Sequence, residues 1–78
     1  MTRRSAAAPR YAGSATIQAI GPDGWAVTER VVDHAVGLVV EEVAAELRAA
    51  VRRDTGWQPR IVVLDDRGRD ISTHYDVN

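Results

Sequence analysis

The spacing of valines between residues 31 and 53 constrains this chain more than any other feature. Apolar residues recur there at intervals of three and four, at Val32, Val36, Val39, Val40, Val43, Leu47, Ala50 and Val51. At 100° per residue these positions fall in a sector about 120° wide, which is one face of an α-helix. A strand would instead place the neighbours Val39 and Val40 on opposite faces. The spacing predicts one amphipathic helix over roughly residues 31–53, with Gly37 inside it and Gly56 ending it.

A β-hairpin is predicted ahead of the helix. Residues 15–20, ATIQAI, are apolar or β-branched and end at GPDG, where Pro22 presets φ and Gly24 can take a positive φ. The following WAVTER alternates, as a half-buried strand does. This alternation predicts two faces, the first with Trp25, Val27 and Glu29 and the second with Ala26, Thr28 and Arg30.

A second hairpin is predicted after the helix. RIVVL at residues 60–64 is a continuous apolar run, typical of a strand that is buried on both faces or lies in the middle of a sheet. DDRG at 65–68 is a turn signal, and RDIST at 69–73 is the returning strand. The order β-β-α-β-β predicts an α+β fold of two layers, with one long amphipathic helix packed on a small, mainly antiparallel four-stranded sheet. A plainer β-α-β unit with an irregular N-terminus is the alternative.

Three segments follow from this prediction. Residues 15–73 form a single domain, residues 1–14 form a flexible or extended basic arm, and residues 74–78 form a polar C-terminal tail that we expect to be frayed. A folded body of about 60 residues buries only about 60% of its unfolded surface and is marginal alone. The chain has no Cys, so disulfides cannot support it. Unusually good packing or a partner subunit is therefore the remaining means of stabilising the domain.

The back of the predicted helix suggests where a partner subunit binds. Val31, Leu38, Ala45 and Ala49 cluster opposite the main stripe, and a helix that is apolar on two sides is usually buried on two sides. Because the chain supplies only one helix, we expect a second copy to cover this side, most simply in a symmetric dimer. The arm is a second candidate cover. Scattered exposed apolar residues that need no cover are the third interpretation.

The N-terminal arm is a second candidate for contact with a partner. It contains Arg3, Arg4, Arg10 and Tyr11, and it shows neither a helical nor a strand period. Tyr11 could anchor its end against the body. An edge strand of the sheet offers unpaired backbone groups, so the arm could pair with such an edge in another molecule.

Residues for catalysis or for metal binding are sparse. His34 is expected on the solvated side of the helix, and His74 with Asp76 falls in the tail. The acidic run at 65–70 lacks the ligand spacing of an EF-hand, and its arginines neutralise it. No phosphate-binding glycine motif is present. We therefore predict no enzyme, no cofactor and no metal; a small enzyme would need a site shared between subunits, built from His34 and the 65–70 loop.

Charge and hydropathy restrict the remaining functions. The net charge of −1 does not favour a general polyanion binder. The basic groups that could bind nucleic acid are Arg3, Arg4 and Arg10 in the arm and Arg48, Arg52, Arg53 and Arg60 near the helix end. No apolar run reaches the roughly 20 residues of a membrane span, and the apolar run at 6–8 is too short for a signal peptide. We expect a protein of the cytoplasm or of a virion.

The composition adds a hypothesis about origin. All ten basic residues are Arg and there is no Phe, which is typical of a GC-rich genome such as that of a bacterium or its phage. Together with the small size and the arm, this favours a non-enzymatic, self-associating assembly protein, for example a head or tail subunit of a phage virion. The alternative is a regulatory module that binds nucleic acid or a protein partner.

Overall fold

The computed structural model describes residues 13–78, which form one helix packed on a three-stranded antiparallel sheet. Its elements are β1 (Ala15–Ile20), β2 (Ala26–Val32), α1 (Gly37–Thr55), β3 (Arg60–Leu64) and a 3-10 helix (Ser72–His74). The strand order is β2-β1-β3. The α+β class and its two layers are confirmed. The predicted fourth strand at 69–73 is reduced to one bridge between Leu64 and Asp70, followed by the 3-10 helix.

Both predicted turns are confirmed, and they share one geometry. In the first, the N–H of Gly21 donates to the carbonyl of Trp25 at 2.8 Å, and Gly24 takes φ 88°. The second repeats this arrangement over residues 65–69, with Gly68 at φ 81°. A glycine is needed at each of these positions because a side chain strains the left-handed backbone.

The predicted start of the helix is wrong by six residues, whereas its predicted end is confirmed. Strand β2 continues to Val32, which pairs with Ala15, and α1 begins only at Gly37. Gly37 is therefore the first helical residue and not an interior one. Val32 fits both the helical and the alternating pattern, so its spacing alone did not separate the two elements. Gly56 takes φ 86° and donates to the carbonyl of Arg52 at 2.8 Å, which ends the helix.

A single apolar core lies between the sheet and α1. Strand residues enter it at every second position and helix residues at every third or fourth, as the two periods require. Its members are Ala15, Ile17 and Ala19 from β1, Val32 from β2, Val40, Ala44, Leu47 and Val51 from α1, Ile61 and Val63 from β3, and Ala35, Ile71, Tyr75 and Val77 from the connecting and C-terminal segments. The helix contacts β1, the central strand, more than β2 or β3.

The C-terminal residues belong to this core, so the expectation that 74–78 are frayed is wrong. Tyr75 and Val77 are each 2% exposed. The hydroxyl of Tyr75 donates to the carbonyl of Ala35 at 2.8 Å. This buried apolar pair at alternate positions anchors the segment, and the polar residues on either side of and between the pair, His74, Asp76 and Asn78, obscure the pattern in the sequence.

Candidate functional site

The outer edge of β3 is closed by residues 71–78, referred to below as the C-terminal segment. The side-chain amide of Asn78 accepts the N–H of Ile61 and donates to its carbonyl, each at 2.8 Å, as a neighbouring strand would. Ser72 accepts the N–H of Val63 through its hydroxyl oxygen at 2.8 Å, and the N–H of Ile71 donates to the Val63 carbonyl at 2.8 Å. The backbone groups that β3 turns away from β1 are therefore satisfied.

These bonds fix which way the backbone of β1 points. Ile61 and Val63 turn their N–H and C=O groups outward, and they lie opposite Ala19 and Ile17 on β1. In an antiparallel ladder, bonded and non-bonded pairs alternate. Ala19 and Ile17 therefore direct their own backbone groups toward β2.

The same alternation identifies the backbone groups on the free edge of β2. The residues opposite Ala19 and Ile17 are Thr28 and Arg30, which bond inward to β1. The alternate residues Glu29 and Val31 consequently point their N–H and C=O groups away from the sheet. No strand within residues 13–78 lies beyond β2, because β2 is at the end of the strand order.

Strand β2 is also exposed through its side chains. Every residue from 26 to 31 is exposed, although Val27 and Val31 are apolar. Val31 is 61% exposed and Val27 is 49% exposed. Strand β3, at the other edge, has three successive buried residues. The uncovered apolar surface of the sheet therefore lies at β2.

An open groove runs between β2 and α1. Its volume is about 250 Å³, and its walls are Val27, Thr28, Arg30, Leu47, Ala50, Val51, Asp54 and Thr55. The register of the β1–β2 pair shifts between Ala19 and Ile20, opposite Val27. Such a bulge lets two successive residues face the same side. The predicted strict alternation is therefore wrong at this point, since Val27 and Thr28 both line the groove.

The flank of α1 that faces this groove carries apolar residues as well. Arg30 on β2 donates to Glu46 on α1 at 3.0 Å, which shows that Glu46 faces β2. Val39, Val43 and Ala50 lie within about 60° of Glu46 around the helix axis. Val39 is 42% exposed, and Val43 and Ala50 are half-buried.

The opposite flank of α1 is bonded to the C-terminal segment. Glu41 accepts the N–H of Asp76 at 2.8 Å, and the guanidinium of Arg48 donates to the carbonyl of Val77. The segment thus covers both the edge of β3 and the helix flank above it. The β2 side has no equivalent cover among residues 13–78.

The residues predicted for a helix-to-helix contact are brought together in part. Leu38, Ala45 and Ala49 lie on the outer face of α1 and are exposed, with Leu38 at 76%. Val31, which was grouped with them, lies in β2 and not in the helix. Arg3, Arg4, Arg10 and Tyr11, predicted for an arm contact, lie outside the described residues.

The acidic loop has an evident structural role. Asp65 is 9% exposed and accepts the backbone N–H groups of Arg69 at 2.8 Å and Arg67 at 2.9 Å, and the Arg69 guanidinium at 3.0 Å. The N–H of Arg69, followed by the other donors, lowers the pKa of Asp65 despite its burial. Bonds from Ser72 lower the pKa of Asp70. Both carboxylates therefore stabilise the turn.

Residues 13–78 contain no group of three or more His, Cys, Asp or Glu suited to hold a metal ion. Nor does any helix in this part of the chain have the length and apolar character needed to cross a membrane. No family model matches the chain, and the searches of curated proteins and of solved structures give no match.

Proposed function

We propose that this protein is a non-enzymatic assembly protein that associates by adding a strand to the free edge of β2. One observation carries the proposal: the sheet's two edges differ, because residues 71–78 close β3 and no segment within residues 13–78 covers β2. A partner strand would satisfy the outward groups of Glu29 and Val31. It would also cover the groove and the apolar flank of α1 beside it.

The chemistry of β2 favours a selective partner. Exposed edges risk indiscriminate pairing, and natural proteins restrict it with bulges and charged side chains. Strand β2 has both devices, the bulge at Val27 and the charges of Glu29 and Arg30. Only a strand that avoids the bulge and complements these charges fits the edge. This selectivity is what an assembly contact needs.

Replacing Val31 with proline tests this proposal. Val31→Pro removes an outward N–H and leaves the inward bonds of β2 to β1 in place, a position at which edge strands tolerate proline. We expect the wild-type mass in sedimentation to rise with concentration and the folded Val31→Pro variant to stay monomeric. Val31→Thr, which keeps the N–H, is the matched control and should associate. A wild-type protein that stays monomeric at high micromolar concentration contradicts the proposal.

The outer face of α1, with Leu38, Ala45 and Ala49, is the other contact surface we propose to test. Its three residues are exposed together, but Leu38 is the only large apolar side chain among them. The β2 side offers backbone groups in addition to apolar area, and we therefore rank it first. The virion subunit and the nucleic-acid or protein regulator remain predictions based on composition and on the arm. A loss of DNA or RNA affinity with rising salt would favour the regulator.

A further inference from the structure

We propose that the strand added to β2 comes from residues 1–12 of a second copy of this chain. This inference rests on the proposed function and names its partner. It is carried by three features of the described residues: the poor fit of β2 to itself, the acidic groups beside the groove, and the position of Gly13, where the described chain begins.

Pairing of β2 with β2 of another copy is unfavourable in each register. A two-fold axis through Glu29 sets two carboxylates opposite each other, and an axis through Arg30 sets two guanidinium groups opposite each other. An axis through Val31 brings Glu29 opposite Asp33. Like charges directly opposite each other destabilise a strand pair. Registers nearer the turn meet the bulge at Val27. The partner strand must therefore have another sequence.

The acidic groups around β2 favour a basic strand. Glu29 lies on the face of β2 away from the helix, while Asp54 lines the groove and Glu46 stands at its side. Arg30, already bonded to Glu46, is the one basic side chain among the groove's walls. Residues 1–12 contain three Arg and no acidic residue. Opposite charges directly across a strand pair stabilise the pair.

The sequence before Pro9 has the length and side chains that the groove accepts. Residues 3–8 come before Pro9, which lacks an N–H and therefore suits the end of a paired segment. In an extended conformation they span about 20 Å at roughly 3.3 Å per residue, close to the length of β2. Alternation gives each face one Arg and two small residues, with Arg4, Ala6 and Ala8 on the first and Arg3, Ser5 and Ala7 on the second.

The position of Gly13 favours donation to another copy. The carbonyl of Gly13 accepts the N–H of Ala35 at 3.1 Å, so the described chain begins in line with β1, one strand inside β2. To reach its own β2 edge, the preceding segment would have to cross residues 33–35, which lead from β2 to α1. It would then run parallel to β2, the less stable pairing. A second copy can be approached without this crossing and in the antiparallel direction.

Two full-length variants with complementary defects test the inference. The first, Arg3→Glu/Arg4→Glu/Arg10→Glu, keeps the β2 edge intact but reverses the charge of the arm. The second, Val31→Pro, keeps an intact arm but a blocked edge. We expect each to sediment as a monomer alone, and an equimolar mixture to form a dimer of one copy of each. We also expect the dissociation constant of this dimer to rise roughly tenfold from low to high salt, since charge pairs contribute to its affinity.

A charge exchange provides a second test if Val31→Pro fails to fold. Adding Glu29→Arg and Asp54→Arg to the reversed arm restores opposite charges, and we expect association to return. If the reversed-arm protein associates like the wild type, the arm is not the partner strand. If the mixture stays monomeric and the exchange restores nothing, donation between copies is wrong. Strand addition at β2 would still hold after either result, provided that the wild type associates and the Val31→Pro variant does not.

Discussion

The two outer strands of the sheet differ in whether their outward backbone groups have partners. On β3, Ile61 and Val63 meet the side chains of Asn78 and Ser72, and the buried Tyr75 fastens the segment that supplies them. On β2, the outward groups have no covering segment within residues 13–78. Residues 71–78 thus close one edge, and this difference between the edges is the observation on which the proposed strand addition at β2 rests.

The flanks of α1 repeat the contrast between the edges. Glu41 and Arg48 bond to the backbone of the C-terminal segment, whereas the flank beside β2 carries the exposed Val39 and lines the groove with Ala50. Closing β3 therefore also completes the core on that side. Closing β2 would bury the remaining apolar flank of the helix and supply a marginal domain with area that it lacks.

The largest expected effect comes from opening the closed edge. Tyr75→Ala removes a side chain that is 2% exposed and leaves the carbonyl of Ala35 without its donor, so we expect a loss of about 3–5 kcal/mol in the free energy of unfolding. Urea denaturation followed by circular dichroism measures it. Val31→Ala on the open edge is the control and should change stability by no more than about 0.5 kcal/mol. Equal losses of unfolding free energy at the two positions would contradict the difference between the edges.

A smaller effect is expected at the turn that leads into the closing segment. The lowered pKa of Asp65 means that its carboxylate stabilises the fold above the unfolded value of 3.8, and that this contribution is lost as the pH falls through the lower folded value. Asp65→Asn should therefore unfold at lower urea than wild type at pH 7. The difference should shrink as the pH falls below 3.8. A difference that does not depend on pH would show that charge plays no part. Asp66→Asn, at an exposed neighbouring carboxylate, is the matched control.

The smallest expected effect on stability is at the outer face of α1. Leu38 is 76% exposed, and a carboxylate near a helix N-terminus is favourable, so Leu38→Glu should change the free energy of unfolding by at most about 0.5 kcal/mol. Sedimentation of this variant separates the two proposed contact surfaces. Unchanged association agrees with the β2 edge as the contact. Dissociation of Leu38→Glu would place the contact on the helix instead.

The parts of the fold that the sequence predicts well are those with strong local signals. The valine spacing indicates α1, and GPDG and DDRG indicate two turns whose glycines take positive φ. The return strand predicted after DDRG does not form because the Asp70 carboxylate accepts both the N–H and the hydroxyl of Ser72. These local bonds favour the 3-10 helix over a continued ladder.

The candidate site was harder to predict because it depends on which face is left uncovered. The valine spacing predicts that the whole helix stripe, including Val39 and Val43, packs in the core, whereas its β2-facing part extends beyond what three strands cover. The width of this apolar stripe was the one sequence signal that part of it lies outside the core. The bulge at Val27 and the closure of β3 by Asn78 arise from tertiary contacts, which no periodicity in a single sequence records.

Amide hydrogen exchange at the two edges tests the central claim most directly. We expect the N–H groups of Ile61 and Val63 to be protected at every protein concentration, because the chain itself supplies their acceptors. The N–H groups of Glu29 and Val31 should exchange rapidly in dilute solution and become protected as the concentration rises. Exchange at Glu29 and Val31 that stays rapid in concentrated, associated protein would contradict the account.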